Sequence, residues 1–331
     1  MTRRLVQGFV VLMLCLTVSR PGLAEPFGIG DWRSGTFADH PLVGKIWSAT
    51  ENRFVDQQEL LEILLSAPVV LLGEKHDNAD HHRLQARIVQ TLVEKGKRPS
   101  LVFEMLTDAQ TDAEQAIHDA DISWDELDKR LSWSDRGWPE WESYRQILGV
   151  ARRSMLPVRA GNIPRSEARS IGHGGFDGLP KGDRHRLALN KPLPDQAREA
   201  LNRELLDSHC GYLPESALPA MSAVQMYRDA RMAEAVLQAT EAGRPAVLIA
   251  GAGHVRRDRA VPYFLNRRVP GLKTVVIAIR EVDESEKEPA AYAWYEDSDE
   301  PPLFDYVIFT PRLDDIDPCE KFKAQFKNSD G

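Results

Sequence analysis

The chain has 331 residues, 42% hydrophobic and 28% charged, which suits one large or two small soluble domains with a sizeable core. Its net charge of −8 argues against nucleic acid or an anionic membrane as a partner, although a local basic crevice remains open. No repeat, coiled-coil period or collagen pattern is present.

Residues 1–24 read as a secretory signal peptide. Arg3 and Arg4 precede an apolar stretch at 5–18, and Gly22-Leu23-Ala24 supplies small residues for cleavage after Ala24. Leu14 stands before Cys15 where a lipobox wants a small residue, so lipidation is not expected. The product is expected in the periplasm. There an oxidising milieu allows a Cys210–Cys319 disulfide, but two unrelated thiols read equally well.

The remaining 25–331 read as one α/β domain with a mixed, mainly parallel sheet. Residues 25–52 form an aperiodic arm, followed by a helix at 57–65. Pro68-Val69-Val70-Leu71-Leu72 is a continuous apolar run, as a strand buried on both faces requires, and it ends in Gly73-Glu74-Lys75-His76. A helix at 78–94 follows, with Leu84, Ile88, Leu92 and Val93 on one face and Asp77 or Asn78 as cap. Of its two histidines, His81 is close enough to support a site, but both read best as exposed. A second strand, Ser100-Leu101-Val102-Phe103, runs into Glu104. Residues 107–153 read as helical, with Trp133, Trp138 and Trp141 packing around 137–139. A third strand, Pro157-Val158-Arg159-Ala160, leads to Gly161-Asn162-Ile163-Pro164-Arg165.

The α/β rhythm breaks at about 166–219, which reads as a helical insertion. It holds a flexible glycine turn at 172–178 and the turn Ser208-His209-Cys210-Gly211-Tyr212-Leu213-Pro214. A long helix at 220–242 carries Gln225, Arg228 and Met232 on one face, where the Arg228-Asp229 pair reads as a solvated surface. The fourth strand, Ala246-Val247-Leu248-Ile249-Ala250, ends in Gly251-Ala252-Gly253-His254, repeating the Gly-x-x-His of the first. A helix at 261–268, a strand at 274–279, an acidic surface loop at 281–288, a last strand at 306–309 and a frayed polar tail beyond 318 complete the chain.

Open α/β sheets bind ligands at the carboxyl ends of their strands. Glu74, His76, Glu104, Arg165 and His254 are therefore expected in one cluster, with Asn162 beside them. Two carboxylates, two imidazoles and a guanidinium suit acid–base work or anion binding. His76, Glu104 and His254 could also ligate a divalent metal ion, although no local ligand spacing supports one. Phosphate-loop and nucleophile-elbow motifs are absent.

Six segments in order resemble the ChaN-like haem-binding uptake family. They are Gly-Glu-Lys-His-Asp-Asn at 73–78, Phe-Glu-Met at 103–105, Gly-Asn-Ile-Pro-Arg at 161–165, His-Cys-Gly at 209–211, Gln-Met-Tyr-Arg-Asp-Ala-Arg-Met-Ala at 225–233 and Gly-Ala-Gly-His-Val at 251–255. The resemblance implies a haem-binding protein of periplasmic or outer-membrane-associated iron uptake. It implies two cofacial haems held in a homodimer, with a tyrosine as axial ligand. Tyr212 and Tyr227 are the candidates in matched segments, with His209 and Arg228 nearby. The wider Tiki superfamily includes metal-dependent proteases and erythromycin-esterase-like hydrolases that use the Gly-x-x-His histidines and strand-end glutamates. A hydrolase acting on a peptide or ester is thus the alternative to a haem carrier.

Overall fold

The computed structural model describes residues 25–110, 112–138, 141–241, 243–294, 301–321 and 323. The signal peptide, Cys15 and the end of the tail lie outside the described residues. Eight strands form one sheet: β1 (Ile46–Ser48), β2 (Arg53–Val55), β3 (Val69–Glu74), β4 (Ser100–Thr107), β5 (Val158–Asn162), β6 (Ala246–Gly251), β7 (Thr274–Glu281) and β8 (Tyr306–Thr310). Their order is β2-β1-β8-β7-β3-β6-β4-β5. Strands β8 to β5 pair in parallel; only β1 pairs antiparallel, with β2 and β8. The sheet is mixed and mainly parallel, as the apolar runs predict.

Every residue of β3, β4 and β6 is buried. Along β3 the side chains alternate between two cores. Val70 and Leu72 share a core with α1 (Gln57–Ser66), α2 (Ala79–Glu94), α3 (Ala113–His118), α4 (Trp124–Leu131) and α5 (Trp141–Ser154). Val69 and Leu71 pack with α9 (Leu218–Thr240) and α10 (Val261–Arg268). Helices thus cover both faces, and that is why these strands show no apolar–polar alternation.

Three details differ from the sequence expectation. The arm at 25–52 contributes β1, which at three residues is too short to show a period. β4 continues through Glu104 to Thr107, with a register shift against β5 after Phe103, so Glu104 projects from within a strand. The glycine run at 172–178 is the end of α6 (Arg165–Gly174) and a 3-10 turn (Gly175–Gly178) rather than an open loop.

Between β5 and α9 the described chain is helix and loop. It comprises α6, α7 (Lys181–Arg186) and α8 (Asp195–Ser208). α8 buries Leu201, Leu205 and Ala197 in a small core of its own with Leu193. Cys210 and Cys319 form a disulfide that ties the turn after α8 to the C-terminal segment. No helix among the described residues is long and apolar enough to cross a membrane.

Candidate active site at the strand ends

The four strands with chemically marked ends are consecutive neighbours, β3-β6-β4-β5. Pairing of Glu74 with Gly251 brings the two Gly-x-x-His ends level. Close approach explains the two glycines. A Cβ at Gly251 would lie 2.8 Å from His76 Nε2, and one at Gly73 would lie 2.4 Å from Val255 Cγ2. Any side chain at 251 would therefore push His76 off the strand end.

Glu74 is the hub of one half of the cluster. Its Oε1 lies 3.0 Å from His76 Nδ1 and accepts a hydrogen bond from the Tyr144 hydroxyl. Its Oε2 lies 2.8 Å from His82 Nδ1. Burial alone would raise the pKa of Glu74, but the charges of His82 and His76 hold it well below the usual carboxylate range.

Glu104 is the hub of the other half. Its Oε2 accepts the Gly251 N–H at 2.8 Å and lies 3.7 Å from His76 Nε2, while its Oε1 lies 3.2 Å from His254 Nε2. His254 Nδ1 is 2.6 Å from Asp229 Oδ1 on α9. Burial opposes the ionisation of Glu104, yet His254 and His76 lower its pKa to about 2. The two imidazoles respond in kind. Burial pushes both down, but Glu104 leads the opposing charges, and His76 rises to about 9 and His254 to about 10. Both are therefore imidazolium at neutral pH. His254 is held on both nitrogens, and His76 is the more open of the two, with a third of its side chain exposed.

Sequence reading missed four members. His82 and His81 are fully buried rather than exposed. His82 faces Glu74, and His81 accepts the Lys75 N–H at 2.9 Å while its other nitrogen meets Thr310. Burial, then the charge of His82, holds His81 far below the usual histidine value. Asp229 is buried beneath His254 and is not part of a solvated pair with Arg228. Tyr144 carried no signal in the sequence. The helical spacing at 78–94 places His81 and His82 beside the apolar face, and that was the available clue for the histidines.

Arg165 is not in the cluster. It lines a neighbouring groove with Arg136, Arg228, Trp138 and Asn162, and Arg228 donates to Asn162 Oδ1 at 2.9 Å. His76, Glu104 and His254 do meet, but the described residues contain no group of three or more such side chains arranged to hold a metal ion. Each imidazole already faces carboxylates, which orient its nitrogens.

The cluster floors a cavity of about 730 Å³, within the range of small-molecule sites. Its walls include Arg280 and Tyr292 from the sheet side and Glu204 and Ser208 from α8, so the helical segment roofs the strand ends. Tyr212 is 61% exposed in the turn just beyond Ser208. Tyr227 is 3% exposed, its hydroxyl facing Arg231 at 3.4 Å. His209 caps α8, with Nδ1 2.7 Å from the Leu205 carbonyl oxygen.

The model of the family described as haem-binding uptake, Tiki superfamily, ChaN matches residues 60–265. The chain belongs to the ChaN haem-binding uptake family. Haem is the cofactor that defines this family. Among solved structures, the chain is similar to ChaN of Campylobacter jejuni, described with cofacial haem bound. The two are 22% identical over 80% of this chain and 95% of that one, with a TM-score of 0.61, which supports a shared fold. Weaker likenesses include a Bacillus cereus protein, 15% identical over 68% of this chain and 69% of that one, with a TM-score of 0.41. An erythromycin esterase mutant, EreC in its open conformation, is 16% identical over 68% and 73%, with a TM-score of 0.42. No curated protein matches the chain. The cavity is large enough for a flat ligand, and the exposed Tyr212 follows four residues after Ser208, which lines it.

Proposed function

We propose that this ChaN family member binds haem in periplasmic or outer-membrane-associated iron uptake, with Tyr212 as the axial ligand. The exposure of Tyr212, four residues beyond Ser208 in the cavity wall, carries this reading. A phenolate suits ferric haem iron, and bound haem would supply the iron that uptake delivers. Tyr227 is enclosed and is a poor ligand without unfolding of α9. His209 Nδ1 is turned to its own helix, which leaves the phenol as the better donor. A surface ligand on the roof is also compatible with a homodimer enclosing haem, and with hand-over to outer-membrane uptake machinery. Export by residues 1–24 is part of the same reading.

The test is a hemin titration of the chain lacking residues 1–24. A saturable Soret change is expected, and Tyr212→Phe should weaken binding and change the spectrum, whereas Tyr227→Phe should not. Iron binds the phenolate in place of the hydroxyl proton, so acidification should release the haem. Only the spectrum of free hemin, with no saturable stoichiometry, would end the reading. Mass spectrometry of the exported N-terminus tests cleavage after Ala24; a lipid on Cys15 would contradict it.

A second reading rests on the carboxylate–imidazole pairs, which resemble acid–base machinery. In it, Glu74, His76, Glu104 and His254 hydrolyse an ester or peptide, with or without a divalent metal ion. Turnover of model esters that disappears in His76→Ala would support it. Absence of turnover with and without added zinc would leave the site to binding alone.

A further inference from the structure

The groove beside the cluster holds a charge arrangement that the strand-end site does not use. Its volume is about 360 Å³, and Arg136, Arg165 and Arg228 line it together with Thr107, Gln110 and Trp138. The three arginines come from three places: the turn before α5, the start of α6 and the middle of α9. None of them forms an ion pair with a carboxylate among the described residues. Arg136 donates to the Met105 carbonyl at 2.7 Å, and Arg228 donates to Asn162. Arg231, one turn along α9 from Arg228, shows the contrast. It takes Asp108 at 2.7 Å, Glu167 at 3.5 Å and Glu234 at 3.6 Å.

Like charges gathered without an ion-paired carboxylate are unfavourable. Burial, then the charge of Arg165, lowers the pKa of Arg136. Burial lowers that of Arg228, although Glu104 and Asp229 face it from the cluster side and oppose the shift. The opening of α6 adds to the same field. α6 starts at Arg165 after Pro164, both lining the groove, and no side chain caps that end. Its first N–H groups and the positive end of its dipole therefore belong to the groove. Guanidinium forks bind planar and tetrahedral oxoanions through paired, charge-assisted hydrogen bonds. Trp138 also packs its ring edge-on to His76 at 5.4 Å, so the groove opens toward the strand-end cluster.

We propose that this groove is an oxoanion subsite that takes the carboxylate or phosphate of a ligand whose body lies over Trp138 toward His76. The subsite stands whether or not the larger cavity takes haem. Its occupant's anion would come from a propionate of a porphyrin or from a free small phosphate or carboxylate compound.

Calorimetric titration with inorganic phosphate at neutral pH tests it on the chain lacking residues 1–24. Saturable millimolar or tighter binding is expected in the wild type. Arg165→Gln, at an exposed position, should weaken it about tenfold, and Arg136→Gln/Arg165→Gln should abolish it. Arg198→Gln, a surface change on α8, should leave it intact. Far-ultraviolet circular dichroism and melting of each variant confirm the fold. If phosphate competes with hemin but not with hemin dimethyl ester, the source is the propionate. If it binds without competing, the source is a free anion. Absence of saturable phosphate binding, or equal binding by the double variant, would overturn the subsite.

Discussion

The strand-end cluster and the helical segment that roofs it are built in opposite ways. In the cluster, Glu74, Glu104 and Asp229 meet His76, His82 and His254, all but His76 are buried, and strand register sets the positions of Glu74 and Glu104 and of the turns that carry His76 and His254. In the roof, α8 has a small core of its own and is fastened by side chains. Glu204 accepts from the buried Arg259, and Cys210 is bonded to Cys319. The sheet therefore sets the floor of the cavity through strand pairing, while the roof keeps its position through a few cross-links. A rigid floor and a tethered, exposed Tyr212 suit a ligand that must be captured and later released.

The largest effect should come from breaking the floor. Glu74→Ala removes the counter-charge of His76 and of the buried His82, and the acceptor of Tyr144. It should cost about 3–5 kcal/mol in urea unfolding. A loss below about 1 kcal/mol would mean that the network is slack.

Breaking the roof comes next. Cys210→Ser/Cys319→Ser should cost roughly 2–4 kcal/mol, because the bridge closes a long loop, with a sequence separation of 109 residues. It should also weaken hemin binding while leaving the titration of His76 and His254 unchanged. A shift in those imidazole titrations, followed by NMR, would show that the two regions are not separate.

The floor should also carry a pH signature that the roof lacks. Carboxylates with lowered pKa stabilise the fold above their unfolded values near 4, and that stability fades as pH falls toward about 2, the value for Glu104. Imidazoles with raised pKa stabilise it fully below about 6.5, and that contribution fades as pH rises through about 9 and about 10. Unfolding free energy should thus be greatest near pH 5–6 and decline on both sides. The alkaline decline should flatten in His254→Gln. A wild-type profile flat from pH 6 to 10 would refute the imidazolium assignment.

The smallest stability effect is expected at the roof's surface. Tyr212→Phe should change unfolding by less than about 0.5 kcal/mol while altering the hemin spectrum. A large stability loss would show that the phenol supports the fold rather than the ligand.

Much of the floor was legible in the sequence. Unbroken apolar runs mark strands covered on both faces, and the residues after each run fall at one edge, since parallel strands all end on the same side. Four such runs proved to be adjacent strands. The second layer was not legible. His82 and Asp229 sit on amphipathic helices, where a polar residue beside the apolar stripe reads as surface. Burial of that position depends on which neighbour docks there, and the docking partners are Glu74 and His254, remote in the chain. Arg165 shows the converse error. It follows the apolar run of β5 as Glu104 follows that of β4, but it opens α6, so it lines the neighbouring groove.

The sequence by itself determined the α/β class, the parallel strands, the strand-end chemistry and the resemblance to ChaN, because these rest on local runs and short motifs. Tertiary structure alone decided the partners of the imidazoles, the burial of Tyr227 against the exposure of Tyr212, the Cys210–Cys319 pairing and the groove of three arginines that meet no carboxylate in an ion pair among the described residues. Each of these depends on distances between segments far apart in the chain, which packing sets and local sequence does not encode.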